Sequence, residues 1–191
     1  MSILNTKREQ SRQLLLQIGF RLFSEKGYEA TSIRMIAKEA GVSLGLLYNY
    51  FQSKEELLKA IFESSQADIA ATFEEAEGYA KGIPGIERHI RNMVKLLKEK
   101  QEFWRLLHSL RMQRKFVSDM MGSINQQVNY IHHMIEKNLN EVGYTNPSQE
   151  ALLLFATLDG MASHYLLDTS YPIDELATNL IQKYKTNSNN D

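Results

Sequence analysis

A chain of 191 residues with 43% apolar content is long enough for one large domain or two smaller ones around a real core, and it contains no cysteine, which excludes disulfides and thiolate metal sites. No apolar run approaches the roughly eighteen residues of a membrane span, and the opening MSILNTKREQ lacks an apolar signal core, so no membrane partner and a cytoplasmic location are expected. The net charge of -1 hides an asymmetry: residues 1–54 carry eight basic against four acidic side chains, a local excess of +4 on a body of -5. A basic module on an acidic body suits phosphate attraction at one end only.

Leu15, Ile18, Gly19, Leu22 and Phe23 recur at helical intervals and predict a first helix that stops at Gly27. Residues 31–54, TSIRMIAKEAGVSLGLLYNYFQSK, then place Ala37 and Gly41 four positions apart between two short apolar-patterned segments. In the first segment Ile33, Ile36, Ala37 and Ala40 share a face, and Ala37 is small enough for a second helix to cross closely. Gly41 closes that helix in the left-handed conformation at little steric cost, and Val42 can fill the angle between helices. Ser43 can cap the next helix through its hydroxyl, while Leu47 and Phe51 form a buried i, i+4 pair. This is the spacing of a helix-turn-helix, and it points to DNA.

Ser53 with Glu56 reads as a capping box that starts a helix over about residues 53–76. Gly78, Gly82, Pro84 and Gly85 then make the clearest break in the chain. Ile86, Ile90, Met93, Val94 and Leu97 predict one helix, residues 103–110 a short second one, and residues 113–116 a turn. Val117, Met120, Met121, Ile124, Val128, Ile131 and Ile135 mark a long helix ending near Gly143. Asn146, Pro147 and Gln149 form another capped start, ahead of the most apolar helix, residues 151–167. Pro172 opens a last helix with Leu176, Leu180 and Ile181 on its face, and the polar residues 186–191 are expected to fray. Strand alternation never lasts, so the class is all-α.

The motif residues carry a more specific signal. Phe20, Leu22-Phe23, Gly27-Tyr28, Ala30-Thr31, Ile36-Ala37, Ala40-Gly41-Val42-Ser43, Gly45, Leu47-Tyr48, Tyr50-Phe51 and Ser53-Lys54 resemble the N-terminal signature of the TetR family of transcriptional regulators, without a gap from about residue 15 to 57. The resemblance implies about nine helices: a three-helix DNA-binding domain over residues 1–52 and a helical effector-binding and dimerisation domain over residues 53–191. It implies a homodimer on palindromic double-stranded operator DNA, most often a repressor released by a small molecule, although activators exist among relatives.

DNA-facing residues come from two sources. By chemistry alone, Lys54 and Arg34 can pair with phosphate, Tyr48 and Tyr50 can donate hydroxyls to it, and the amides at the Ser43 cap can receive it. By resemblance, Thr31, Ser32, Ser43, Tyr48, Tyr50 and Lys54 match phosphate-holding positions, whereas Arg34, Leu44, Gly45, Leu46 and Asn49 match positions near base edges. Leu44 and Leu46 depart from the polar or basic side chains common there; their methyls can meet thymine methyls, leaving guanine to Arg34 and adenine to Asn49, or Leu46 can simply pack on the preceding helix.

In the body, Phe103, Trp104, His108, Phe116, Tyr130, His133, Phe155, His164 and Tyr165 can line a pocket for an aromatic or lipophilic effector, or can equally be core. Ala156, Gly160 and Ser163, with Leu167 beyond, make a strip of small residues suited to close helix approach, either to a second subunit or within one. His132 and Glu136 are an i, i+4 pair able to grip a metal, but with no third ligand nearby no metal or other cofactor is expected. No nucleophile motif, phosphate loop or HExxH occurs and the histidines show no triad spacing, so the chain is not expected to be an enzyme. The remaining alternative is a helical interaction protein that has lost DNA binding, for which Leu44 and Leu46 are the hint.

Overall fold

The first helix, α1 (Ile3–Lys26), runs to the expected stop, and Gly27 beyond it has a positive φ. A computed structural model describes residues 3–74, 81–111 and 114–187 of the chain, and among these residues there are nine α-helices and no strand. The chain divides into two compact units, Met1–Asp68 and Ile69–Asp191.

In the first unit α1 is followed by α2 (Ile33–Glu39), α3 (Leu44–Tyr48) and the start of α4 (Lys54–Glu74). Gly41 sits at φ 66° between α2 and α3, a conformation in which a side chain would be strained. Gly19 is present for a different reason: a Cβ there would stand 3.0 Å from Leu57 Cδ2 and 3.3 Å from Ile61 Cδ1, so its absence lets α4 close on α1. Leu15, Phe23, Ile36, Leu47, Phe51 and Leu57 are buried, and Arg21 reaches from α1 to Glu39 on α2. The Ser53 hydroxyl accepts from the Glu56 amide at 3.1 Å, but the Glu56 carboxylate reaches one residue past the cap, to the Gln52 amide.

The second unit contains α5 (Ile83–Glu99), α6 (Gln101–Arg111), α7 (Arg114–Val142), α8 (Pro147–Leu167) and α9 (Ile173–Asn187). α7 packs on α8, α5 on α7 and α9, and α6 on α7 and α8. The core between them includes Ile86, Ile90, Leu97, Ile135, Leu139, Leu154, Leu158 and Ile181. Its rim is tied by Tyr184, whose hydroxyl donates to Glu150 at 2.7 Å, and by Lys185, 2.6 Å from Glu87.

Several boundaries differ from those read in the sequence. α5 starts at Ile83 because Pro84 is tolerated in a first turn, whose amides need no intrahelical partner. α7 already includes Arg114, Lys115 and Phe116, so the expected turn does not extend over them; basic residues are good helix formers whatever the apolar phase. The Asn146 side chain makes no cap, and Pro147 with its fixed φ begins α8 instead. α9 continues through Thr186, where fraying was expected. Gln113, Ala76, Gly78 and residues 188–191 lie outside the described residues, as do the side chains of Phe116, Val117, Met120, Met121 and Ile124.

Candidate nucleic-acid interface

α3 is five residues long, too short to be stable alone, and it is held from both ends. The Ser43 hydroxyl accepts the Leu46 amide at 3.2 Å, and the Phe51 amide donates to the Leu47 carbonyl at 3.0 Å. Leu47 and Phe51 are fully buried, so the rest of the helix turns outward: Leu46 is 38% and Tyr48 46% exposed, and Gly45 and Asn49 are open to solvent. A Cβ at Gly45 would meet no atom within 4 Å, so the backbone there can be approached closely. Leu44 and Tyr50 are half-buried, the latter with its ring tilted against Phe51. On α2 the Ser32 hydroxyl accepts the Met35 amide at 3.2 Å, and the exposed Arg34 makes no ion pair among the described residues.

Two of the expected phosphate ligands are engaged within the fold. Thr31 is 1% exposed, and its hydroxyl lies 2.8 Å from the Gly27 carbonyl and 3.1 Å from that of Leu22. It ties the end of α1 to the start of α2 and is not available to a phosphate. Lys54 is half-buried; its Nζ donates to the Tyr28 carbonyl at 2.9 Å and stands 4.1 Å from the centre of the Tyr28 ring. Tyr28 packs in turn on Phe23 at 5.2 Å, and burial, with Glu55 beside it, holds its phenol above the usual range, so it stays neutral. Tyr28 is therefore the anchor of the Lys54 side chain, a role its position in the Gly-Tyr-x-Ala-Thr entry did not reveal. The amide of Leu46 at the Ser43 cap is likewise already occupied by the Ser43 hydroxyl.

Thr31→Val keeps the side-chain shape and removes the one hydroxyl proton that the Gly27 and Leu22 carbonyls share. The variant should lose about 1–3 kcal/mol in urea unfolding with the salt dependence of DNA binding unchanged. A stable variant with a shallower salt slope would return Thr31 to the phosphate contacts.

The sequence model of the bacterial regulatory proteins of the tetR family matches residues 15–61, the segment that holds α2 and α3. Residues 15–61 are a TetR-family N-terminal segment. It is 28% identical to the transcriptional regulator PksA of Bacillus subtilis over 174 residues, 84% of this chain and 80% of that protein. It is 42% identical to the regulator AcrR of Shigella flexneri over 66 residues, 34% of this chain and 31% of the relative, so that match spans about a third of AcrR. The transcriptional regulator FadR of Bacillus subtilis, solved in complex with stearoyl-CoA, superposes with a TM-score of 0.75 over 90% of this chain and 96% of its own, at 19% identity. These relatives are regulators rather than enzymes.

The body residues that could line an effector pocket or equally be core stand in several different surroundings. Phe103 is buried against the edge of Trp104, whose indole nitrogen donates to the Leu96 carbonyl at 3.2 Å. His108 lies 3.3 Å from the Ser163 hydroxyl and 3.8 Å from Asp159, and burial holds its imidazole below the usual range. Phe155 meets the edge of His132 at 4.4 Å, His164 stacks on Tyr171, and His133 is exposed. Tyr165 is half-buried against the core, and Phe116 lies outside the described side chains. Tyr130 borders a cavity between α5 and α7. The scatter has a simple cause: aromatic content marks a bundle interior but not which helix faces converge. Of the small-residue strip, Ala156 and Gly160 are open and Leu167 is 86% exposed, whereas Ser163 turns inward to the Asp159 carbonyl.

Proposed function

We propose that the chain is a one-component transcriptional regulator that grips a palindromic operator as a homodimer through residues 1–52 and is released by a small molecule bound within residues 53–191. The observation that carries the reading is α3: a short helix with its apolar side buried and Gly45, Leu46, Tyr48 and Asn49 exposed, within the segment that matches the family. The local excess of basic side chains supports attraction to phosphate. Ser32, Ser43, Tyr48, Tyr50 and the tethered Lys54 are assigned to the backbone, and Arg34, Leu44, Gly45, Leu46 and Asn49 to base edges. Exposure of Leu46 favours methyl contact over packing within the chain. Repression is the sign we assign, by analogy with relatives.

A gel shift and footprint on the promoters of its own and adjacent genes test this. Protection should show inverted symmetry with half-sites about one helical turn, or a multiple, apart; a footprint without symmetry removes the dimer, and no shift at all removes the regulator. Arg34→Ala should cost about 1–3 kcal/mol and relax one base position, whereas Lys54→Ala should weaken all sequences alike and lower the salt slope by about 1. Unchanged discrimination in the first variant would make Arg34 a phosphate contact.

The effector proposed is lipophilic or aromatic, which accords with the stearoyl-CoA carried by the structurally similar FadR. An effector lowers DNA affinity only through its preference for one protein conformation, and the coupling is reciprocal. Operator DNA should therefore weaken effector binding by the factor that effector weakens operator binding. Equal effector affinity with and without operator would remove the allosteric route.

A further inference from the structure

α1 changes character along one face. Phe23, Gly19, Leu16 and Leu15 lie on the row that turns into the N-terminal unit, and all four are buried. The same row continues one and two turns earlier as Arg12 and Arg8, so two cations stand where the pattern would place core. Among the described residues no ion pair reaches either of them. Glu9, three positions before Arg12, accepts instead from the Gln13 side-chain amide at 2.8 Å. Glu56 is taken by the Gln52 backbone amide, and Glu39 by Arg21, the cation in the later turns of the same helix.

Arg12 is nevertheless held in place. Its guanidinium carbon stands 5.6 Å from the centre of the Phe51 ring, against which the Tyr50 ring is tilted. A ring face attracts a cation without neutralising it, and the N–H donors at the edge of the guanidinium stay available to an acceptor. Phe51 lies three residues past the end of α3, so the half-buried Arg12 is presented at that end of the helix, on the ring that also carries Tyr50. Arg8, one turn before it, is exposed.

We propose that Arg12 and Arg8 hold phosphates of duplex DNA next to those met by Tyr50, extending the backbone contacts of the interface onto the N-terminal turns of α1. The inference rests on the DNA-binding reading above and adds two contacts that lie outside the family-matched segment, which begins at residue 15. A guanidinium suits the task because its planar fork gives paired N–H bonds to phosphate oxygens. Such contacts set affinity and register and carry no sequence information.

Anisotropy titrations of the full chain on a fragment of its own promoter and on an unrelated duplex, from about 50 to 200 mM salt, test the assignment. Arg12→Gln and Arg8→Gln should each lower the salt slope by about 0.9 per subunit, on both duplexes alike, with discrimination between them unchanged. Arg12→Lys keeps the charge and should keep the slope. Arg8→Gln, at an exposed position, should hold the wild-type urea midpoint in circular dichroism, which keeps the test readable if Arg12→Gln loosens α3. Lys95→Gln, an exposed cation of the second unit, should leave the slope as it is. An equal fall in that variant would assign the effect to overall charge and overturn the proposal. An unchanged slope in the Arg12→Gln and Arg8→Gln variants, with promoter binding kept, overturns it too and leaves the regulator intact, the result expected if these arginines serve an acidic protein instead. A loss confined to the promoter fragment would make them base contacts and also overturn it. A wild-type chain that binds both duplexes equally removes the operator reading, and the arginine contacts then stand or fall on the slope alone. Absence of any duplex binding overturns both.

Discussion

Replacing Phe51 with Ala should destabilise the N-terminal unit by about 3–5 kcal/mol and abolish operator binding. The ring is 1% exposed, with Tyr50 tilted against it and the Arg12 guanidinium 5.6 Å from its centre, so truncation opens a cavity and strands a cation–π partner together. A loss of that size is a large share of the 5–15 kcal/mol that typically holds a domain folded. Beyond the Ser43 cap α3 depends on this burial: five residues are too few to be stable alone, and Leu47 and Phe51 are what pin its inner side. The single tryptophan, Trp104, lies in the second unit, so its fluorescence follows that unit while circular dichroism follows both. The urea midpoint seen by circular dichroism should fall and the gel shift should vanish. A variant that keeps the wild-type midpoint and still shifts DNA would show that Phe51 is dispensable to the reading head.

The N-terminal unit was legible because each of its local signals has one physical solution. Gly41 between two short apolar segments needs a left-handed turn, Ser43 needs an amide to cap, and Leu47 with Phe51 needs a core; the structure supplies all three. Thr31 shows the limit of that logic, and Lys54 part of it. Their residue types suit phosphate, but only the fold shows the Thr31 hydroxyl spent on the carbonyls of Gly27 and Leu22, and one of the three Lys54 N–H donors spent on that of Tyr28. In the body, periodicity placed the apolar faces of α5, α7 and α8 without saying which polar edges would share a cavity. Lys81, Arg88 and Lys137, which border the cavity between α5 and α7, are 7 and 49 positions apart in sequence, and no spacing rule joins them. The prolines marked helix starts, at Pro84 and Pro147, but the expected side-chain cap at Asn146 does not form, because a fixed φ and a capping hydrogen bond are different ways of beginning a helix.

Gly160→Leu should convert the proposed dimer to monomers or aggregates. The prediction is sharpened by what the single chain has around that position: a Cβ at Gly160 would find no atom within 4 Å. The exposed position has room for a side chain to leave the helix, and leucine improves helix propensity by about 0.8–1 kcal/mol, so the monomer itself should be no less stable. The same side of α8 leaves Leu153 62% and Leu167 86% exposed, with Ala156 open between them, an apolar strip with a narrow waist that invites a second helix to approach closely. Added volume at the waist costs about 1–3 kcal/mol in a packed interface, more if both copies of the symmetric contact meet there. Two half-sites bound together gain about 10²–10⁴ over one through effective concentration, so loss of the dimer should lower operator affinity by that order while half-site binding persists. Sedimentation of the variant, paired with gel shifts on full and half operators, separates assembly from folding. A soluble, tight dimer with undiminished operator affinity would move the interface away from this face of α8.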